Sequence, residues 1–148
     1  IEVGDIVIST DLVQHDIDVT AFGHDFGVIP RMATSFFSAD DELKELAKKS
    51  ALKVFSAEKV REGRIVSGDQ FINGIEKINW LRDTFSGEAC EMEGASVAHV
   101  CHLFGVPFVI LRAISDKANS DAKVDFAEFV NLAAKNSKEI VVNMLKEM

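Results

Sequence analysis

The sequence predicts an α/β protein with helices on both faces of a sheet, and three observations carry that expectation. Short runs rich in β-branched residues alternate with runs of helical periodicity, the pattern of strands and helices packed in layers. The segment Phe108-Val-Ile-Leu111 is apolar at every position, as a central strand covered on both sides must be. Near the end, Phe126, Phe129, Val130, Ala133, Ile140, Val141, Met144 and Leu145 recur at helical spacing, so one long helix should lay an apolar stripe on that sheet.

Taken in order, residues 5–9 and 13–18 read as two strands, separated by the polar stretch Ser9-Thr-Asp11. Residues 20–37 form a long loop that carries Phe22, Gly23, Gly27, Pro30 and the Phe36-Phe37 pair. A loop of that length in a compact domain is functional or covered by a partner. Ser38 is the expected cap of a helix over 39–52, with Asp41 three residues on as a capping-box variant. Residues 63–67 read as a strand, 68–71 as a turn, and 75–85 as a helix with Ile75, Ile78 and Leu81 on successive turns. A short strand over 88–92 leads into a helix over 93–104. Gly105 should take the left-handed position beyond that helix, and Pro107 prevents its continuation. Asp125 and Glu128 have capping-box spacing for a last helix from 126 to the end. With two prolines and no repeat or linker-like stretch, residues 1–148 read as part of one domain without an internal boundary.

Composition narrows the function. The 148 residues are 47% apolar and 27% charged, with a net charge of −8. That charge repels phosphate backbones and anionic lipid, so neither nucleic acid nor a membrane surface is an expected partner. No apolar run approaches the roughly 20 residues of a membrane span. The two cysteines, Cys90 and Cys101, cannot build a disulfide framework and read as buried, reduced thiols, which suits a cytoplasmic location.

Chemistry collects at three strand ends: Val66-Ser-Gly-Asp-Gln-Phe71, Cys90-Glu-Met-Glu-Gly94 and Leu111-Arg-Ala-Ile-Ser-Asp116. In open α/β sheets ligands bind beyond the carboxyl ends of strands, and each end brings a carboxylate to one rim: Asp69, Glu91 or Glu93, and Asp116. Glu91 and Glu93 share a face if the strand persists, with Glu91 the candidate to cap the following helix instead. Arg112 closes an apolar strand and needs a carboxylate partner or water, Asp116 being the nearest in sequence and the carboxylates of the other two strand ends also candidates. His99 and His102 lack the further donors that would complete a metal shell. His15, Asp16 and Asp18 are split between faces by strand alternation. No metal site is expected, and no cofactor. There is no glycine-rich phosphate loop, no nucleophile elbow and no Cys/His pair at nucleophile spacing.

Ser67-Gly-Asp-Gln-Phe-Ile72, Glu91-Met-Glu-Gly-Ala95 and Arg112-Ala-Ile-Ser-Asp116, in this order, resemble the bacterial 5′-methylthioadenosine/S-adenosylhomocysteine nucleosidases. Gln14-His-Asp-Ile-Asp18, Thr20-Ala-Phe-Gly23 and Phe126-Ala-Glu-Phe129 extend the resemblance over the whole chain. It implies the purine nucleoside phosphorylase fold, a three-layer α/β/α sandwich with a mixed, partly barrel-like sheet, in a homodimer. It also implies hydrolysis of an N-glycosidic bond to adenine and a 5-thio-substituted ribose, with no cofactor.

By that resemblance Asp116 is the acid at purine N7, supported by Ser115. Phe71 stacks on adenine and the Ile72 backbone reads its edge. Glu93 holds the ribose hydroxyls, Met92 packs under the sugar, Arg112 and Glu91 complete the water and ribose network, and Phe126 closes over base and sugar. Phe22 and Pro30 match residues that reach the neighbouring subunit's alkylthio pocket. The family's general-base glutamate and its first strands match nothing here, and Ile1 stands where the middle of a fold is expected. About the first third of the domain is therefore expected to be absent, and catalysis with it. The rival expectations are a purine nucleoside phosphorylase and a non-catalytic nucleoside-binding or storage protein on the same scaffold. Which nucleoside is preferred, among methylthioadenosine, adenosylhomocysteine, 5′-deoxyadenosine and aminofutalosine, is open at this point.

Overall fold

A computed structural model of the chain describes residues 1–116 and 122–148, with side chains of the last helix described from residue 129. Five strands and four α-helices follow one another as β1 (Ile6–Gln14), β2 (Phe37–Ser38), α1 (Asp41–Ala51), β3 (Val60–Ser67), α2 (Ile75–Phe85), β4 (Gly87–Glu91), α3 (Gly94–Phe104), β5 (Leu111–Ala113) and α4 (Ala122–Glu147). The sheet runs β2-β1-β3-β4, with β5 paired to β1. The pairs β1–β3 and β3–β4 are parallel, whereas β2 and β5 both run antiparallel to β1. Since β3 takes one edge of β1, β2 and β5 share the other. The sheet is therefore mixed, as expected, but among the described residues it stays open and does not close into a barrel.

The two strands expected over 5–9 and 13–18 are one strand. β1 pairs with β3 at Ser9↔Gly63 and next at Leu12↔Ile65, three residues against two, so the polar stretch holds one extra residue. The irregularity decides which side chains share a face. Val7 and Leu12 join one core with Ile65, Ala89 and the α3 residues Ala95 and Ala98. Ile6 and Ile8 face the other way, onto Ala47 and Ala51 of α1 and Ile140 and Met144 of α4. Val13 and Val66 extend that second face against Leu81 and Phe85 of α2. Helices thus cover both faces in three layers. Each fully buried large aliphatic side chain contributes about 1.5–3 kcal/mol to that packing.

Several boundaries differ from expectation for local reasons. Ser38 belongs to β2, and the cap of α1 is Asp40, whose Oδ1 accepts from the Leu43 N–H at 2.9 Å. In α2 the apolar face is set by Leu81 and Phe85, while Ile75 is exposed. Helix α4 begins at Ala122, so Asp125 lies inside it and is not its cap. Its stripe is narrower than expected: Ile140 and Met144 are buried, but Val141 and Leu145 are exposed. Gly105 does take the left-handed conformation after α3, at φ +64°, and the Val106 N–H returns to the Cys101 carbonyl at 2.9 Å.

Among the described residues, the segment expected as a central strand over 108–111 lies at an edge. Only Leu111–Ala113 pairs as a strand, while Phe108 and Ile110 reach the sheet through the Asp40 N–H to Phe108 carbonyl (2.8 Å) and Ser9 N–H to Ile110 carbonyl (2.9 Å) bonds. Its apolar pattern has a different cause. Phe108, Ile110 and Ile114 pack toward α3, and Val109, Leu111 and Ala113 toward α1 and α4. An edge strand covered on both faces reads the same in sequence as a central one.

Candidate active site

β3 and β4 run parallel, so Ser67 and Glu91 end side by side, paired in register. Strand β5 runs the opposite way, and its carboxyl end lies beside the start of β1, where Ala113 pairs with Ile6. The three ends therefore do not form one rim. What brings them together is a cavity of about 150 Å³ lined by Val66, Ile72, Leu81, Ala89 and Cys90 on one side and by Arg112 to Asp116 on the other.

Arg112 links the two sides, although β1 and β3 lie between β5 and β4 in the sheet. Its Nη1 is 3.9 Å from Glu91 Oε2, and its Nη2 is 3.5 Å from Glu93 Oε2. Its partners are thus Glu91, which ends β4, and Glu93 just beyond it, carboxylates from another of the three strand ends. Asp116 sits in the cavity wall and accepts a hydrogen bond from the Ser115 hydroxyl at 2.9 Å.

Glu91 is buried, at 6% exposure, and works as the cap of α3. Its carboxylate accepts the Gly94 N–H at 2.8 and 3.0 Å and the Glu93 N–H at 3.2 Å, satisfying donors that a helix start leaves open. The hydroxyl of Ser67 donates to the same carboxylate and accepts the Ala95 N–H at 2.8 Å. Glu93, directly before α3, keeps its side chain 68% exposed.

The other expected residues are more dispersed. Ile72 is buried in the cavity wall. Phe71 beside it is half exposed and Met92 is 40% exposed, each free to meet a ligand from outside the wall. Asp69 stays away from the cavity, its N–H donating to Asp16 Oδ2 at 2.7 Å. Phe22, ending a single 3₁₀ turn over Thr20–Phe22, is 83% exposed, and Pro30 is exposed as well. The side chain of Phe126 lies outside the described residues.

Sequence reasoning missed Ser67, whose signal was a hydroxyl closing the apolar run Ile65-Val66. It also expected both cysteines buried. Cys90 is exposed and forms part of the cavity wall, where its crowded surroundings, and then the Glu91 charge, push the thiol up to about 12. It is a neutral thiol at pH 7, not a nucleophile. His99 and His102 serve in packing: the His99 ring stacks on Phe37 at 4.8 Å and His102 lies 5.4 Å from it.

A guanidinium between two carboxylates, beside a hydroxyl-supported carboxyl and an apolar wall, can grip sugar hydroxyls, balance a developing positive charge and supply a proton. That combination sits on a three-layer α/β sandwich. A sequence profile described as the phosphorylase superfamily matches residues 1–146, and the chain belongs to that superfamily.

It is 48% identical to a 5′-methylthioadenosine/S-adenosylhomocysteine nucleosidase of Actinobacillus succinogenes, over 100% of this chain and 64% of that one. A crystal structure of the nucleosidase of that name from Neisseria meningitidis, in complex with methylthio-immucillin-A, superposes with a TM-score of 0.92 at 42% identity. That match covers 99% of this chain and 63% of the other. A futalosine hydrolase of Helicobacter pylori also superposes at 0.92, with 39% identity, over 99% of this chain and 62% of the other. The chain spans a little under two-thirds of the length of the relatives it matches.

Proposed function

We propose that the protein hydrolyses the N-glycosidic bond of 5′-methylthioadenosine and S-adenosylhomocysteine, releasing adenine and a 5-thio-substituted ribose. The observation that carries this reading is the convergence of Arg112, Glu91 and Glu93 beside the Ser115–Asp116 pair, in a chain this similar to named nucleosidases. Asp116 gives a proton to purine N7 as the C1′–N9 bond breaks and its electron pair leaves with the base. The ribosyl group becomes oxocarbenium-like, and the carboxylate of Glu93, held by Arg112, contacts the ribose hydroxyls and offsets that charge. Water then forms the C1′–O bond and loses a proton to a base that is not assigned to this chain. Phe71 stacks on adenine, the Ile72 backbone reads its edge, Met92 lies under the sugar and Phe126 closes over it.

The active form is proposed to be a homodimer in a reducing cytoplasm, with Phe22 and Pro30 reaching the neighbouring subunit's alkylthio pocket. Supporting this, α3 turns Val97, Val100, Leu103 and Phe104 outward at 49–76% exposure, an apolar face that a second copy would cover.

A test is adenine release by the purified full-length protein from methylthioadenosine, adenosylhomocysteine, 5′-deoxyadenosine and aminofutalosine, with and without phosphate. Phosphate-independent release from the first two supports the proposal, whereas strict phosphate dependence would make it a phosphorylase. The futalosine hydrolase match favours a second reading, in which aminofutalosine is the preferred substrate of the four. Asp116→Asn should lose turnover by roughly 10²-fold or more, the scale of general-acid catalysis, while still binding adenine. Unchanged turnover would remove the mechanism.

A further inference from the structure

The buried Glu91 carboxylate touches both halves of the grip on ribose described above. It accepts the Glu93 N–H and sits 3.9 Å from Arg112, so wherever this carboxylate turns, the Glu93 backbone and the guanidinium follow. An ionised carboxylate is an acceptor on every side and does not choose its own orientation among the N–H groups of α3. Something must set its rotation about the last bond.

The Ser67 hydroxyl does so. Ser67 closes β3, is 2% exposed, and comes from a different strand than the groups it holds. It has one hydrogen and spends it on Glu91 Oε1. Its oxygen is committed to the Ala95 N–H at 2.8 Å, one residue beyond the Gly94 N–H that Glu91 accepts. Serine thus clamps the carboxylate and the first turn of α3 to each other, and both to β3. No other side-chain hydroxyl in the described residues bonds Glu91.

We propose that Ser67 is a positioning residue that acts through Glu91 to fix Arg112 and Glu93 against the ribose. The inference rests on the nucleosidase reading and extends it to a residue that itself touches no substrate. A loss of positioning of this kind falls on kcat/KM, since a small misplacement of the binding groups weakens the transition-state grip.

The experiment compares Ser67→Ala, Ser67→Thr and Glu91→Gln, and the double variant Ser67→Ala/Glu91→Gln, in the purified full-length protein well below its melting temperature. Hydrolysis of methylthioadenosine is followed with kcat and KM read separately. Ser67→Ala is expected to lower kcat/KM about tenfold, with KM raised, on the scale of misplaced binding groups. Ser67→Thr, which keeps the hydroxyl, should recover most of that loss. In the Glu91→Gln background the same Ser67→Ala change should cost less than about twofold, because residues acting as one unit are non-additive. Should Ser67→Ala fold poorly, Ser67→Cys, close in volume but a weak donor, takes its place in the cycle. An active wild type with Ser67→Ala unchanged, or with the same loss in both backgrounds, overturns this inference alone. A full-length wild type that releases no adenine overturns the nucleosidase reading and this inference with it.

Discussion

The imidazole of His15 lies where a side chain on Gly68 would have to be. A Cβ built at Gly68 meets His15 Cε1 and Nε2 at 2.6 Å and Asp16 Cγ at 2.9 Å. The end of β1 is thereby seated directly on the turn after β3, fixed further by the His15 N–H to Ser67 carbonyl bond at 2.9 Å and by Asp16 accepting from the Asp69 N–H. That turn leads to Phe71 and Ile72.

Gly68→Ala should therefore push against a fully buried ring and not into open space. Overpacking of this kind costs about 1–3 kcal/mol. Urea denaturation of the variant should show that loss as a lower midpoint. A midpoint equal to the wild type's would mean that the ring can move aside.

His15 also gives stability a pH dependence. Burial holds its imidazole below the ordinary 6.5, the Asp16 charge opposing that and Lys77 adding to it. The folded protein then binds fewer protons than the unfolded chain in the window just below 6.5, so stability rises with pH there. The contribution is fully present above 6.5 and is lost as pH falls through the lower folded value. Melting temperatures measured across this window should drop on acidification, and His15→Gln should flatten the drop. A parallel curve for the variant would shift the cause elsewhere.

Arg64 is held three ways. Its Nε and Nη2 donate to the Asp11 carboxylate at 2.5 and 3.0 Å, and Nη1 donates to the Phe85 carbonyl at 2.6 Å. The Phe36 ring lies 4.5 Å beneath the guanidinium. Both charged side chains are under one-third exposed, so removing one strands the other. Arg64→Met should cost about 1–3 kcal/mol, given a half-buried charge left unpaired. Arg64→Lys should recover little, because one ammonium cannot reproduce a planar fork. Chemical denaturation of the two variants checks both statements, and full recovery by lysine would contradict the geometry.

The order of elements was legible because strand and helix periods differ and each apolar run is bounded by polar or turn residues. The strand ends of the candidate site stood out for a related reason: Arg112, Glu91 and Asp116 are charges attached to apolar strands. Direction and pairing were not. Nothing in Leu111-Arg-Ala113 says that β5 runs against β3 and β4, and Phe108 to Ile110 look central because helices cover them, not because strands flank them. The break in β1 was read as a gap between two strands, since Ser9, Thr10 and Asp11 satisfy every local rule for a turn. Ser67 escaped notice because a serine at a strand end is common, and its partner Glu91 is distant in sequence although it ends the neighbouring strand.

The extra residue in β1 also bears on how this chain can change length. Elsewhere in the strand, losing one residue would exchange the side chains that face α3 with those that face α1 and α4, mismatching both cores around Ile6 and Ile8 or Leu12. At positions 10–11 a single deletion would instead restore a regular ladder, leaving Ser9 opposite Gly63 and Leu12 opposite Ile65. Homologues one residue shorter here should keep the same core, and indels in this strand should concentrate at that point.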